Sequence, residues 1–317
     1  MNSTEYFLTK DTNINTKEIT LPKLTDNELN VILEYVEYTR HIQEIDYLFR
    51  VFKTNLETLL FHYQLNTDDT VIRKTNLNIK ENDFVIINSL IINYISSAKT
   101  FTESVENFIQ ENLGDTQLNK FKSDCLSNIY DNEFSYRLLI RLRDYSQHGH
   151  LPVNITRDGK YSFDLNQILN TPHFKHNGKL QDEMIKLRKE IEERFKGYPR
   201  IVFVLSIAKF QLCILEIYLF FINTIKIKLQ MLKNSIDKII IEKTDIIYKS
   251  NDMLNGLIIF GVDKDSSLHC IDPKDDSVQM IKNIQNNIEI QLENEQKEYN
   301  KLINNYCFKG KRDFNLW

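Results

Sequence analysis

Glycine and proline are scarce in this chain: its 317 residues hold 8 Gly and 5 Pro. Sandwiches and doubly wound α/β folds need frequent turns, so the scarcity argues against both and for long uninterrupted helices. Cysteine is sparse as well. Cys125, Cys213, Cys270 and Cys307 lie far apart with no CxxC pair, which gives neither a disulfide framework nor a zinc site and fits a reducing cytoplasm. An excess of positive charge is also lacking, since 40 Lys and Arg against 44 Asp and Glu leave a formal charge of −4. A general duplex-DNA binder would carry a basic surplus. Residues 1–20 are polar and show no apolar core between a basic start and a small-residue cleavage site, so a secretory signal is not expected there. The run 201–225 is strongly apolar but is interrupted by Lys209, Gln211, Glu216 and Asn223. Each of these is expensive in lipid, so the run reads as a buried core helix and no membrane partner is expected.

Helical periodicity is abundant. Thr25 and Glu28 form a capping-box pair, and Leu29, Ile32, Leu33, Val36, Tyr47, Leu48 and Phe52 recur at helical spacing, which predicts a long helix or a broken pair over about 26–65. Val85, Ile86, Leu90, Ile91, Tyr94, Ile95, Phe101, Val105 and Phe108 predict a second helix over about 82–113, forming a hairpin with the first across the polar stretch 66–78. Gly114 reads as its C-terminal glycine and Asp115 as the next N-cap. A third stretch, about 115–148, carries a break near Asp131 and ends at Gly149 with Pro152 beyond. A charged helix over 181–195 is closed by Gly197, and Pro199 opens the long apolar helix that continues to Asn234 or beyond.

Two β-hairpins interrupt this pattern. Val153 and Ile155, then Asp158-Gly159, then Tyr161 and Phe163 alternate around a type I′ turn signal, giving a hairpin near 150–165 that projects from the helical body. Residues 257–262 and 268–271 flank a polar turn and predict a second hairpin before an amphipathic helix over 278–303. The expected fold is mainly all-α: an elongated helical bundle with one or two small β-hairpin insertions. Residues 1–250 would form the bundle, and 251–317 a hairpin and helix packed on it. Phe203, Phe210, Tyr218, Phe220 and Phe221 fall at helical spacing and read as core.

The chemistry concentrates in Arg141-Leu142-Arg143-Asp144-Tyr145-Ser146-Gln147-His148-Gly149-His150. Helical spacing places Arg137, Arg141, Asp144 and His148 on one stripe, with Leu138, Leu142 and Tyr145 on an apolar one beside it. Histidine exchanges protons near neutral pH, and arginine offers a permanently charged fork matched to phosphate oxygens. Together they suit cleavage of RNA, whose own 2′-hydroxyl is the nucleophile. Arg143 lies about 140° around the helix from His148, so a second copy packed antiparallel would be needed to bring the two groups together. His148, His150, His173 and His176 lack a carboxylate or cysteine at ligand spacing, so neither a metal nor another cofactor is expected. Lys120, Lys122 and the charged run 186–196 read as solvated faces.

Arg143-Asp144-Tyr145-Ser146-Gln147-His148 resembles the motif of HEPN-domain ribonucleases: an arginine, a polar residue, at least three variable residues and a histidine. The resemblance covers one or two helical turns. It implies a homodimeric helical bundle that cuts RNA without metal, serving in toxin–antitoxin systems or anti-phage defence, with an antitoxin or regulatory protein as a further partner. By that resemblance Arg143 stabilises the phosphate, His148 is the general acid or base and Asp144 orients the site, while Arg141, Arg137, Tyr145 and His150 bind RNA around it. Arg141 stands at a longer spacing from His148 and precedes apolar Leu142, not a polar residue. The alternative, from a different class, is a non-catalytic helical protein that binds a partner protein or a nucleotide.

Overall fold

Long apolar repeats with few breakers give long helices. The computed structural model describes residues 5–9, 23–67, 77–156, 159–171, 178–244, 258–262, 268–271 and 277–308. Its helices are α1 (Asp26–Thr67), α2 (Leu77–Leu113), α3 (Asp115–Phe121), α4 (Asn128–Asn132), α5 (Phe134–Gln147), α6 (Leu165–Leu169), α7 (Gly178–Phe195), α8 (Phe203–Thr244) and α9 (Ser277–Phe308), with a π-helical turn, Lys122–Ser127, joining α3 to α4. The strands are β1 (Glu5–Thr9), β2 (Asn154–Ile155), β3 (Tyr161–Asp164), β4 (Arg200–Val202), β5 (Ile258–Val262) and β6 (Leu268–Ile271). The fold is mainly α-helical with small β insertions, as composition and periodicity predict. Contacts divide the chain into two compact units, Met1–Glu44 with Ile222–Asn287 and Ile45–Phe221 with Ile288–Trp317. The boundaries fall inside α1, α8 and α9.

In the first unit the capping box forms as its spacing predicts. The Thr25 amide and hydroxyl donate to Glu28 Oε2 at 2.7 and 2.9 Å, and the Glu28 amide donates back to Thr25 Oγ1 at 3.3 Å. Lys243 of α8 pairs with the same carboxylate at 3.0 Å and donates to the Lys23 carbonyl. Lys228 meets Glu34 at 2.8 Å and lies over the Tyr38 ring, whose hydroxyl donates to the Ile225 carbonyl at 3.2 Å. β5 and β6 form the expected second hairpin, and β1 adds to it antiparallel, with Phe7 opposite Phe260. The turn expected at 263–267 lies outside the described residues.

In the second unit the core is aromatic. Phe49 packs on Tyr218 at 4.4 Å between ring centres, Phe101 meets the same ring edge-on at 5.4 Å, and Phe52 stacks on Tyr94 at 5.0 Å. Phe210 bridges Tyr94 and Tyr136. Phe203, Phe210, Tyr218 and Phe221 are buried, as expected of core, and Phe220 packs on Phe121. The Tyr218 hydroxyl is satisfied by buried Asp46 at 2.7 Å, and Asp46 is held in turn by Arg50. The later part of α9 joins this core, with Tyr299 against Leu205 and Leu212 and its ring under Lys209.

Several local expectations shift. Gly114, at φ +81°, is the N-cap of α3, so Asp115 is its first residue, while the glycine amide closes α2 through the carbonyls of Ile109 and Gln110. The break before α5 falls at extended Glu133, whose carboxylate leaves the helix start and pairs with Lys209 at 3.0 Å. The first hairpin does not project: Tyr161 and Phe163 are buried, and Phe163 packs on Phe203. Residues 200–202, expected as helix after Pro199, form β4 beside β3, with Phe163 opposite Ile201. Two helical stretches, Asn82–Leu113 and Phe203–Lys243, are long and apolar enough to cross a membrane; 44% and 67% of their most apolar windows are buried within the protein.

Burial opposes ionisation of Glu28, yet the hydrogen bonds from Thr25 and the Lys243 ammonium outweigh it and hold the carboxyl below its ordinary value. A depressed folded-state pKa contributes stability above the unfolded pKa, and that contribution is lost as pH falls through the folded value. Glu28→Gln will therefore be less stable than the wild type at neutral pH, and urea midpoints of the two proteins will converge as pH drops below about 4. Parallel curves across that range would show that the capping box carries no such linkage.

Candidate functional site

The end of α5 is built by partition of one helix between core and solvent. Leu138, Leu139, Leu142 and Tyr145 are buried, and their opposite faces carry Arg141, Arg143 and Asp144 outward, each half-exposed. His148 is the exposed C-cap residue. Beyond it Gly149 turns left-handed at φ +84°, the Gly149 amide bonds the Ser146 carbonyl at 3.0 Å and the His150 amide bonds the Tyr145 carbonyl at 3.4 Å. This pair of bonds is a Schellman closure, which takes glycine because other residues resist that backbone region. The chain that follows is fixed by Asn88 of α2, a buried amide that accepts from the Val153 N–H and donates to the Val153 carbonyl, both at 2.9 Å.

Asp144 lies between two arginines. Its Oδ2 is 3.3 Å from Arg141 Nη1 and its Oδ1 is 3.7 Å from Arg143 Nη1. Arg143 Nε is buried and has no hydrogen-bond partner among the described residues. The helix is regular through Gln147, so Arg143 and His148 keep their separation of about 140° around its axis. One copy of α5 does not present both groups in one direction.

Other members of the expected site lie differently. Arg137 begins the same stripe but is 2% exposed. It grips Glu183 of α7 through Nη2 at 2.6 and 2.7 Å and Nε at 3.2 Å, and donates to the Tyr130 carbonyl. That commitment removes Arg137 from the expected RNA-binding group, because the stripe passes from interior to surface along its length. Tyr145 is buried too and stacks on His150 at 4.6 Å, so it supports the half-buried His150 ring instead of offering its own face. Burial holds its phenol above the ordinary tyrosine range despite hydrogen bonds with Thr171 and Gln167. His173 and His176 lie outside the described residues. Among the described residues no group of three or more His, Cys, Asp or Glu is placed to hold a metal ion.

A second polar constellation was not foreseen. His62 Nε2 lies 2.7 Å from Asp83 Oδ1, and the Tyr161 hydroxyl donates to the same carboxylate at 2.8 Å. The carboxylate ties α1, α2 and β3, whose contributions stand 21 and 78 residues apart in sequence, and no motif spacing links them. Thiol chemistry is disfavoured at the two buried cysteines. Burial pushes Cys125 up to about 12 and raises Cys213 further, so neither supplies a thiolate near neutral pH.

The chain matches no protein-family model, no curated protein and no solved structure.

The contrast between the arginines is measurable. Arg137→Ala will strand Glu183 and cost about 3 kcal/mol in urea unfolding, whereas Arg143→Ala and Arg141→Ala will stay within about 0.5 kcal/mol of wild type. Equal losses at Arg137 and Arg143 would mean that both are structural.

Proposed function

We propose that this chain is a metal-independent endoribonuclease of the HEPN type, working in the cytoplasm as a homodimer and as a toxin or anti-phage defence effector. The observation that carries the reading is the end of α5. It exposes His148, keeps Arg143 and Asp144 half-exposed, and leaves Arg143 Nε buried with no partner among the described residues. A buried donor without an acceptor is costly, and an anion beside it removes the cost.

The chemistry needs little else. In single-stranded RNA the 2′-hydroxyl attacks the adjacent phosphorus while His148 accepts its proton, and the P–O5′ bond breaks. The departing 5′-oxygen takes a proton from water, leaving a 2′,3′-cyclic phosphate and a 5′-hydroxyl, and His148 returns its proton to the hydroxide so formed. Arg143 balances the charge that builds on the non-bridging oxygens, and Asp144 keeps its guanidinium aimed. Because Arg143 and His148 diverge around the helix, each site takes its arginine from one protomer and its histidine from the other, and His150 and Arg141 flank the RNA strand. An antitoxin or regulatory protein would act by covering this end.

The decisive experiment is cleavage of a mixed single-stranded RNA pool in EDTA, with product ends assayed for cyclic phosphate. Wild type will cut, and His148→Ala and Arg143→Ala will each lose about 100-fold or more. Mixing the two variants will restore roughly one quarter of the wild-type rate, since half of the dimers are mixed and each mixed dimer holds one intact site. Cutting that survives both substitutions removes the proposal. Absence of cutting by any of the proteins moves the assignment to a helical interaction protein.

A further inference from the structure

In the unit of residues 1–44 and 222–287, α8 and α9 line a groove of about 520 Å³, a size ordinary for binding sites. Its floor is apolar: Leu229 and Ile281 are buried, with Val278 half-buried beside them. On its α8 side stand Ile227 and Met231, one turn apart and 67% and 65% exposed. Large apolar side chains held in water beside an apolar floor mark a surface that gains by being covered.

What covers it follows from shape and charge. The lining residues recur at steps of four on α8, at 226, 230 and 234, and at steps of three and four on α9, at 278, 281 and 285. Two helices that show such rows to each other form a seam into which a third helix packs. From Lys226 to Asn234 the seam is about 12 Å long, a little over two helical turns. Among the described residues the charged groups lining it are Lys226 and Lys282, with no carboxylate. Lys226 reaches Asn223 Oδ1 at 2.7 Å, a neutral partner, and is in no ion pair among the described residues. A second copy of the same groove would set lysine against lysine, so self-docking through this face is disfavoured.

We propose that this groove docks an amphipathic helix of a partner protein. The apolar stripe of that helix covers Ile227 and Met231, and its flanking carboxylates meet Lys226 and Lys282. The inference is independent of the ribonuclease reading, because it uses no residue of α5.

Binding of a fluorescent stapled peptide of about four helical turns, with a leucine stripe flanked by glutamates, tests this on the full chain by fluorescence polarisation. The glutamate-flanked peptide will bind, and the Ile227→Ser/Met231→Ser double variant will weaken it by about tenfold or more. Both side chains are exposed, so the variant will keep the wild-type far-UV spectrum. Lys226→Glu/Lys282→Glu will reverse the preference, binding a lysine-flanked version of the peptide more tightly than the glutamate-flanked one. No binding, equal affinity for the two peptides in the wild type, or affinity unchanged by the serine pair overturns the proposal. Self-association of the chain that the serine pair abolishes also overturns it, by placing a second copy in the groove.

Discussion

The first half of α8 is apolar on nearly every side, and such a helix has to be surrounded. Between Phe203 and Phe221 the buried positions include Leu205, Ile207, Leu212, Ile214, Ile217 and Tyr218, which span the whole circumference. A helix of this kind is stable in water only as the centre of others. The aromatic contacts show what it gathers: Phe210 takes Tyr94 of α2 and Tyr136 of α5, Tyr218 takes Phe49 of α1 and Phe101 of α2, and Phe203 takes Phe163 of β3. Polar atoms at this centre are satisfied one by one, as Tyr218 is by Asp46 and Lys209 by Glu133, because an unpaired polar group there would cost on the order of 1–3 kcal/mol.

That requirement sets where chemistry can stand. α5 spends its first turns inside, where Tyr136 stacks on Phe210 and Arg137 is locked to Glu183, and only its last turns reach solvent. The residues with the chemistry of phosphate and proton transfer are those last ones. Their backbone is nevertheless fixed, by the left-handed closure at Gly149 on one side and by the Asn88 amide holding Val153 on the other. Under the proposed reading, groups on a rigid helix end with the following chain pinned would lose little entropy when RNA binds.

How much of this was legible depends on the range of the interaction. The Thr25–Glu28 box, the long helices, both hairpins and the stop at Gly149 rest on residues within a few positions of one another, so spacing predicts them. β4 was hidden because a three-residue strand carries no periodicity and forms by pairing with β3, some 40 residues earlier. β1 pairs with β5 across most of the chain, and Glu5–Thr9 has no turn and partner strand beside it in sequence to declare it. Arg137 is the instructive case. Its spacing to Arg141 and Asp144 is that of a common surface stripe, and what draws it inward is Glu183, 46 residues on. His62, Asp83 and Tyr161 were missed for the same reason, since three elements converge on one carboxylate without a local signal.

Burial also decides which arginine of α5 is able to meet an anion. The buried Arg137 guanidinium spans both oxygens of Glu183 and a carbonyl, and an incoming phosphate would have to reach it through the protein and displace all of these bonds. Arg141 and Arg143 share Asp144 at 3.3 and 3.7 Å where all three side chains are partly solvated, and pairs of that kind are worth about 1 kcal/mol or less. Under the proposed ribonuclease reading a phosphodiester would compete with Asp144 on nearly even terms there. Arg143 Nε is buried with no hydrogen-bond partner among the described residues, so under that reading a phosphate that the side chain turned to meet would gain more at Arg143 than at Arg141. Under the proposed ribonuclease reading the residue order Arg-Asp has a physical sense: the carboxylate would hold the guanidinium in place and yet yield it to a phosphate.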